Sequence, residues 1–160
     1  MQIQTDYDLI LAQLQAVTES EKDLIANLSN ASAVLSMNLD RINWIGFYLV
    51  RGNQLVLGPF QGRPACVRIE FGKGVCGAAI SSGMVQRVDD VHAFPGHIAC
   101  DGASNSEIVL PLFRKGVPVA VLDIDSPVFN RFSPEDQKGL EQCAAFLEEA
   151  CGWDSLLEHV

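Results

Sequence analysis

Cys100 lies in the run FPGHIACDGAS, where Gly96, Gly102 and other small residues leave little bulk to hide a sulfur atom. Cys66 follows Gly62 and Pro64 at the start of an extended run, and Cys76 opens a helical turn after GKGV. A thiol at a helix start is favoured as thiolate by the amide dipoles around it. All three therefore stand at element ends, although free cysteine is among the most buried residue types and position alone does not choose between packing and reactivity. Cys143 and Cys151 fall on the apolar period of the last helix and read as core packers.

A zinc centre usually draws its ligands from short pairs, and none is present. Cys66 and Cys76 are ten residues apart and Cys76 and Cys100 twenty-four, with His92 and His97 in the same loop as Cys100. The expectation is no metal and no other cofactor. His97, three residues before Cys100, is at most a helper that lowers the thiol pKa.

Acids form the second group. Asp123 and Asp125, in VAVLDIDS, are two apart on a predicted strand, so both project from one face about 7 Å apart. Glu107 opens the preceding strand, SEIVLPL, and a hairpin between the two brings it towards Asp125. Three carboxylates in one pocket await a cation, or hold a proton because neighbouring acids resist joint ionisation, and the expected proton holder is one of the aspartate pair.

These residues need elements to position them. Apolar residues recur at three- and four-residue spacing from Tyr7 to about Leu39, with a break near Thr18. That pattern predicts two helices, the second capped by Ser20 with early acids Glu21 and Asp23, and ending near Asn38. Between Ile42 and Arg114 short β-branched and aromatic runs alternate with glycine-bearing turns. NWIGFYLV, LVLGPF, CVRIEF and QRVDDV are the first four strands, with a short helix from Val75 to about Ser82 before the fourth. After a long loop reaching Asn105 come EIVLPLF and VPVAVLDID, and Ser133 with Pro134 opens a last helix running to about Cys151. The order predicts class α+β, an antiparallel sheet packed on helices, in one domain spanning residues 1–160.

Composition excludes several roles. A formal net charge of −9, with no basic cluster, repels a phosphate backbone. The opening MQIQTDYDLILAQLQ has no basic segment ahead of an apolar core, and no apolar run reaches membrane-spanning length. Five cysteines without an export signal fit a reducing compartment, so the expectation is a cytoplasmic protein with no nucleic-acid or membrane partner.

The segments GPFQGRPACVRIEFGKGVCGAA, VDDVHAFPGHIACDGASNSEIVLPL and VAVLDIDSP with RFSPED resemble the free methionine-(R)-sulfoxide reductase family of GAF-fold enzymes, from about Asn43 to Asp136. FPGHIACD, GKGVCG and the three-cysteine spacing are specific to that family rather than to GAF domains at large. The family more often shows serine at position 102, where this chain has glycine.

The resemblance implies that Cys100 is the nucleophile, Cys66 the principal resolving thiol and Cys76 a secondary partner. It further implies that Glu107, Asp123 and Asp125 bind substrate and that Trp44 and Tyr48, four apart on one strand, wall in its methyl group. The expected reaction reduces free methionine sulfoxide through a cysteine sulfenic acid and a disulfide recycled by thioredoxin. A ligand-binding or redox-sensing GAF module without turnover is the alternative. The amphipathic terminal helices also suggest a homodimer.

Overall fold

The computed structural model describes residues 4–98, 100 and 102–157. Helix α1 (Tyr7–Thr18) starts where the Asp6 side chain accepts from the Leu9 amide, and α2 (Leu24–Asn38) starts at Asp23, whose carboxylate accepts from the Ala26 amide at 2.8 Å. The expected cap at Ser20 is thus corrected to Asp23. The Glu21 carboxylate accepts from the Lys22 and Asp23 amides at 2.9 and 2.8 Å, which holds the intervening residues in a turn and moves the helix start past Ser20. Helix α3 (Gly74–Ser82) is the short predicted one. Helix α4 (Pro134–Ala150) has Ser133 as its cap and Asp136 completing a reciprocal capping box, and the short α5 (Asp154–Leu157) follows.

Six strands form one antiparallel sheet: β1 (Trp44–Arg51), β2 (Gln54–Gly62), β3 (Arg68–Glu70), β4 (Gln86–Val88), β5 (Ser106–Arg114) and β6 (Val117–Ser126), in the spatial order β3-β2-β1-β6-β5-β4. The two edge strands are shorter than their sequence runs. Cys66 lies in the loop before β3, and β4 stops before Asp89, after which Asp90 caps the 3-10 turn Val91–Ala93.

Alternation along the central strands sorts side chains into two apolar layers. Ile45, Phe47, Leu49, Ile108, Leu110, Leu122 and Ile124 pack against Ile10, Leu14, Leu28, Leu35, Leu140, Leu147 and Trp153 of the helical layer. Removing each such side chain from water contributes roughly 1.5–3 kcal/mol, so this layer anchors the fold. The opposite face carries Trp44, Tyr48, Val109 and Val121, packed with Val75, Cys76, Ala79 and Ile80 of α3. Among the described residues no helix is long and apolar enough to cross a membrane.

Candidate active site

The second face of the sheet holds the chemistry. In the β1–β6–β5 register Trp44 pairs with Asp125 and Asp125 with Glu107, while Gly46 pairs with Asp123. Two adjacent rows across three central strands therefore project one aromatic ring and three carboxyl groups to the same side. Helix α3 lies over these rows and brings Cys76 down onto them. The Cys76 sulfur and carboxylate oxygens of Glu107 and Asp123 all lie within 4.8 Å of one another.

The seating of α3 depends on close backbone approach. A Cβ on Gly77 would sit 2.6 Å from the Glu70 carbonyl oxygen, so only glycine lets the helix start pack on the end of β3. Gly74, at φ 62°, takes the chain into the helix through a left-handed conformation.

A narrow cleft opens above the acids. Trp44, Tyr48, Cys76, Glu107, Asp123 and Asp125 line its depth, and Lys73, His97, Ile98 and Cys100 also contribute to its walls. Trp44 stacks on Phe60 and Tyr48 with ring centroids 5.3 and 5.9 Å apart, and its indole N–H donates to the Arg63 carbonyl at 3.1 Å. The Tyr48 hydroxyl donates to the Cys66 carbonyl at 2.9 Å. This aromatic pair thus fixes the cleft wall and the loop that carries Cys66.

Cys66 and Cys100 are joined in a disulfide with Cα atoms 5.4 Å apart. The loop bearing Cys100 is tied to the sheet by the Val91 amide donating to the Asn105 carbonyl and the Asn105 amide donating to the Ser126 carbonyl, at 2.9 and 2.8 Å. Cys76 remains a buried thiol, as do Cys143 and Cys151 in the other layer. Burial lifts the Cys143 and Cys151 thiols to about 12 and about 11, which leaves them protonated and unreactive near neutrality.

Burial also governs the acids. Glu107 and Asp123, 8% and 6% exposed, have both carboxyls pushed up; the charges of Asp123 and Asp125 add to the push on Glu107, which ends well above the usual range. The proton expected on the aspartate pair is therefore shared with Glu107 as a candidate holder. Cys76 is held well above an ordinary thiol first by burial and then by Asp123, Glu107 and Asp125. The dipole of α3, expected to favour a thiolate there, is outweighed. His97 is lowered by burial and by nearby His92, so it supplies no fixed positive charge at neutral pH.

Sequence reasoning placed Cys66, Cys76, Cys100, Glu107, Asp123, Asp125, Trp44 and Tyr48 as site residues, and all eight belong to this disulfide or line this cleft. It missed Lys73, Ile98 and Ser104, which also line the cleft. Ser104 is buried and accepts from the Asn43 side-chain amide at 3.1 Å, a link across 61 residues with no local signal.

A six-stranded antiparallel sheet with the long helices on one face and, on the other, a cleft roofed by a short helix and loops defines a GAF domain, and the GAF domain family model matches residues 18–150. The chain is 61% identical to Protein YtsP of Bacillus subtilis, covering 91% of this chain and 90% of that one. It is 58% identical to the free methionine-R-sulfoxide reductase of Escherichia coli, over 84% of this chain and 81% of that one. A Staphylococcus aureus fRMsr solved in complex with substrate superposes with a TM-score of 0.89 at 50% identity, covering 94% of this chain and 98% of that one. This chain belongs to the free methionine-R-sulfoxide reductase family.

Proposed function

We propose that the protein reduces free methionine (R)-S-oxide to methionine. The observation that carries this reading is the Cys66–Cys100 disulfide beside a cleft floored by three carboxyl groups. Sulfoxide reduction needs a sulfur nucleophile on one side and a proton source on the other. The names of the Escherichia coli and Saccharomyces cerevisiae relatives supply the substrate and its handedness.

In the reduced protein the Cys100 thiolate attacks the sulfoxide sulfur while a carboxyl proton passes to the oxygen. The products are methionine and a Cys100 sulfenic acid. The Cys66 thiol then condenses with the sulfenic acid, releasing water and forming the disulfide, and an external dithiol of the thioredoxin class reduces it. Glu107 is the favoured proton donor, because burial and two neighbouring aspartates keep its carboxyl neutral.

Recognition follows from charge. The acids receive the α-ammonium of a free amino acid, a group that a methionine inside a polypeptide lacks. Lys73, Gly74, Val75 and Cys76 line the cleft, so the Lys73 ammonium and the first amides of α3 are the donors available to the α-carboxylate. Trp44 accommodates the methyl group.

The deciding experiment incubates the protein with each resolved epimer of free methionine sulfoxide, and with a peptide containing the residue, in dithiothreitol, and measures methionine. Turnover of the free R epimer alone is expected. Absence of turnover, with binding retained, favours the redox-sensing alternative.

A further inference from the structure

We infer that Cys76, Glu107 and Asp123 form a binding site for one zinc-class divalent cation that blocks the cleft. The inference deepens the proposed function only in its last clause, since blocking presumes that the substrate ammonium sits on the same carboxyls. The site itself stands on geometry.

One sulfur and two carboxylate oxygens converge within 4.8 Å of one another. Tetrahedral zinc at about 2.3 Å from sulfur and 2.0–2.2 Å from oxygen sets its donors roughly 3.5 Å apart. Side-chain rotations that move donor atoms by about an ångström close that gap. The three residues come from α3, β5 and β6, so the sheet and the helix seated on it hold the donors without any short sequence pair.

A second observation points to a ligand at one oxygen that the hydrogen bonds of Asp123 with Glu107, Cys76 and Asp125 leave unmet. The Asp123 side chain is buried, faces the cleft, and its Oδ1 has no hydrogen-bond partner among the described residues. A buried carboxylate oxygen left in this state is costly unless a proton or cation meets it. The cleft leaves a fourth coordination position open for water.

The donor set chooses the ion. A thiolate with two carboxylates suits zinc or cobalt over magnesium or calcium, which take oxygen ligands in greater number. Binding displaces the thiol proton of Cys76 and whatever protons the two carboxyls hold, so uptake of the ion releases protons to solvent. Because Cys76 is outside the Cys66–Cys100 disulfide, the site persists in the oxidised protein.

The test uses the full chain with the Cys66–Cys100 disulfide intact, so that neither sulfur can ligate. Titration with cobalt(II) is expected to give one equivalent bound, with a thiolate-to-cobalt charge-transfer band, and zinc is expected to displace it. Cys76→Ser should abolish the band. Glu107→Gln should keep the band but weaken affinity by about tenfold or more. A Cys143→Ala/Cys151→Ala variant should retain it. No stoichiometric binding, or a band surviving in Cys76→Ser, overturns the site. Free methionine added to the cobalt complex should bleach the band; a site that binds cobalt but ignores methionine upholds the cation site and overturns the shared placement of substrate.

Discussion

Three thiols near one cleft have different environments, and that difference divides their chemistry. Cys66 and Cys100 sit in loops, partly exposed, and can exchange with an external dithiol, whereas Cys76 is 4% exposed beneath α3 and surrounded by acids. Cys100→Ser should therefore abolish methionine formation. Cys66→Ser should release about one methionine per chain in a single turnover and then stall when thioredoxin is the only reductant, as rapid-quench measurement of methionine checks. A Cys66→Ser protein that cycles normally with thioredoxin removes Cys66 from the resolving role. Glu107→Gln keeps the shape of the side chain but removes the transferable proton, so kcat should fall by about 10²-fold or more.

At the start of α2 two residues of capping type, Ser20 and Asp23, stand three apart, and one of them caps the helix. Asp23→Ala should cost about 1 kcal/mol by urea denaturation and Ser20→Ala close to nothing, since the Asp23 carboxylate meets the orphan Ala26 amide and no side-chain cap falls on Ser20. The sequence signals at Ser20 and Asp23 are of the same kind, and only the turn built by Glu21 decides between them. The site shows the same division between local and distant information. Alternation placed Asp123 and Asp125 on one face, and the β5–β6 hairpin placed Glu107 opposite Asp125, because both rest on contacts close in sequence. The pairing of Trp44 with Asp125 and the descent of Cys76 onto Glu107 and Asp123 rest on contacts across many residues, set by the whole sheet order and by the glycine contact at position 77. No short motif encodes such distances, which is why Ser104 and Lys73 went unread.

Across the whole molecule, two sets of carboxyls pull stability in opposite directions with pH. Asp136 joins α4 to the rest: it accepts from the Tyr7 hydroxyl at 2.7 Å and from Arg131 at 3.1 Å, and Arg131 in turn donates to Asp40 at 3.0 Å. Burial raises the Asp136 carboxyl, but the Ser133 amide, Tyr7 and Arg131 outweigh it and hold the group below its usual value. Its contribution is present above the unfolded carboxylate range, about 3.9, and is lost as pH falls through the lower folded value. Glu107 and Asp123 behave oppositely. Their folded values are raised, so the native state binds more protons than the unfolded one, and stability declines as pH rises from about 4 towards those values. Thermal scans of the reduced protein should show Tm falling on the acid side through Asp136 and sloping downward above pH 5 through the cleft acids. Arg131→Met, which strands a buried partner, should cost about 3 kcal/mol or more and move the acid limb to higher pH. Glu107→Gln should raise Tm at pH 7 and flatten the slope above pH 5 while leaving the acid limb in place, because the neutral amide removes an ionisation that burial opposes. An unchanged slope in Glu107→Gln would mean that the cleft acids ionise freely, and the neutral proton donor on which the proposed chemistry depends would be lost with it.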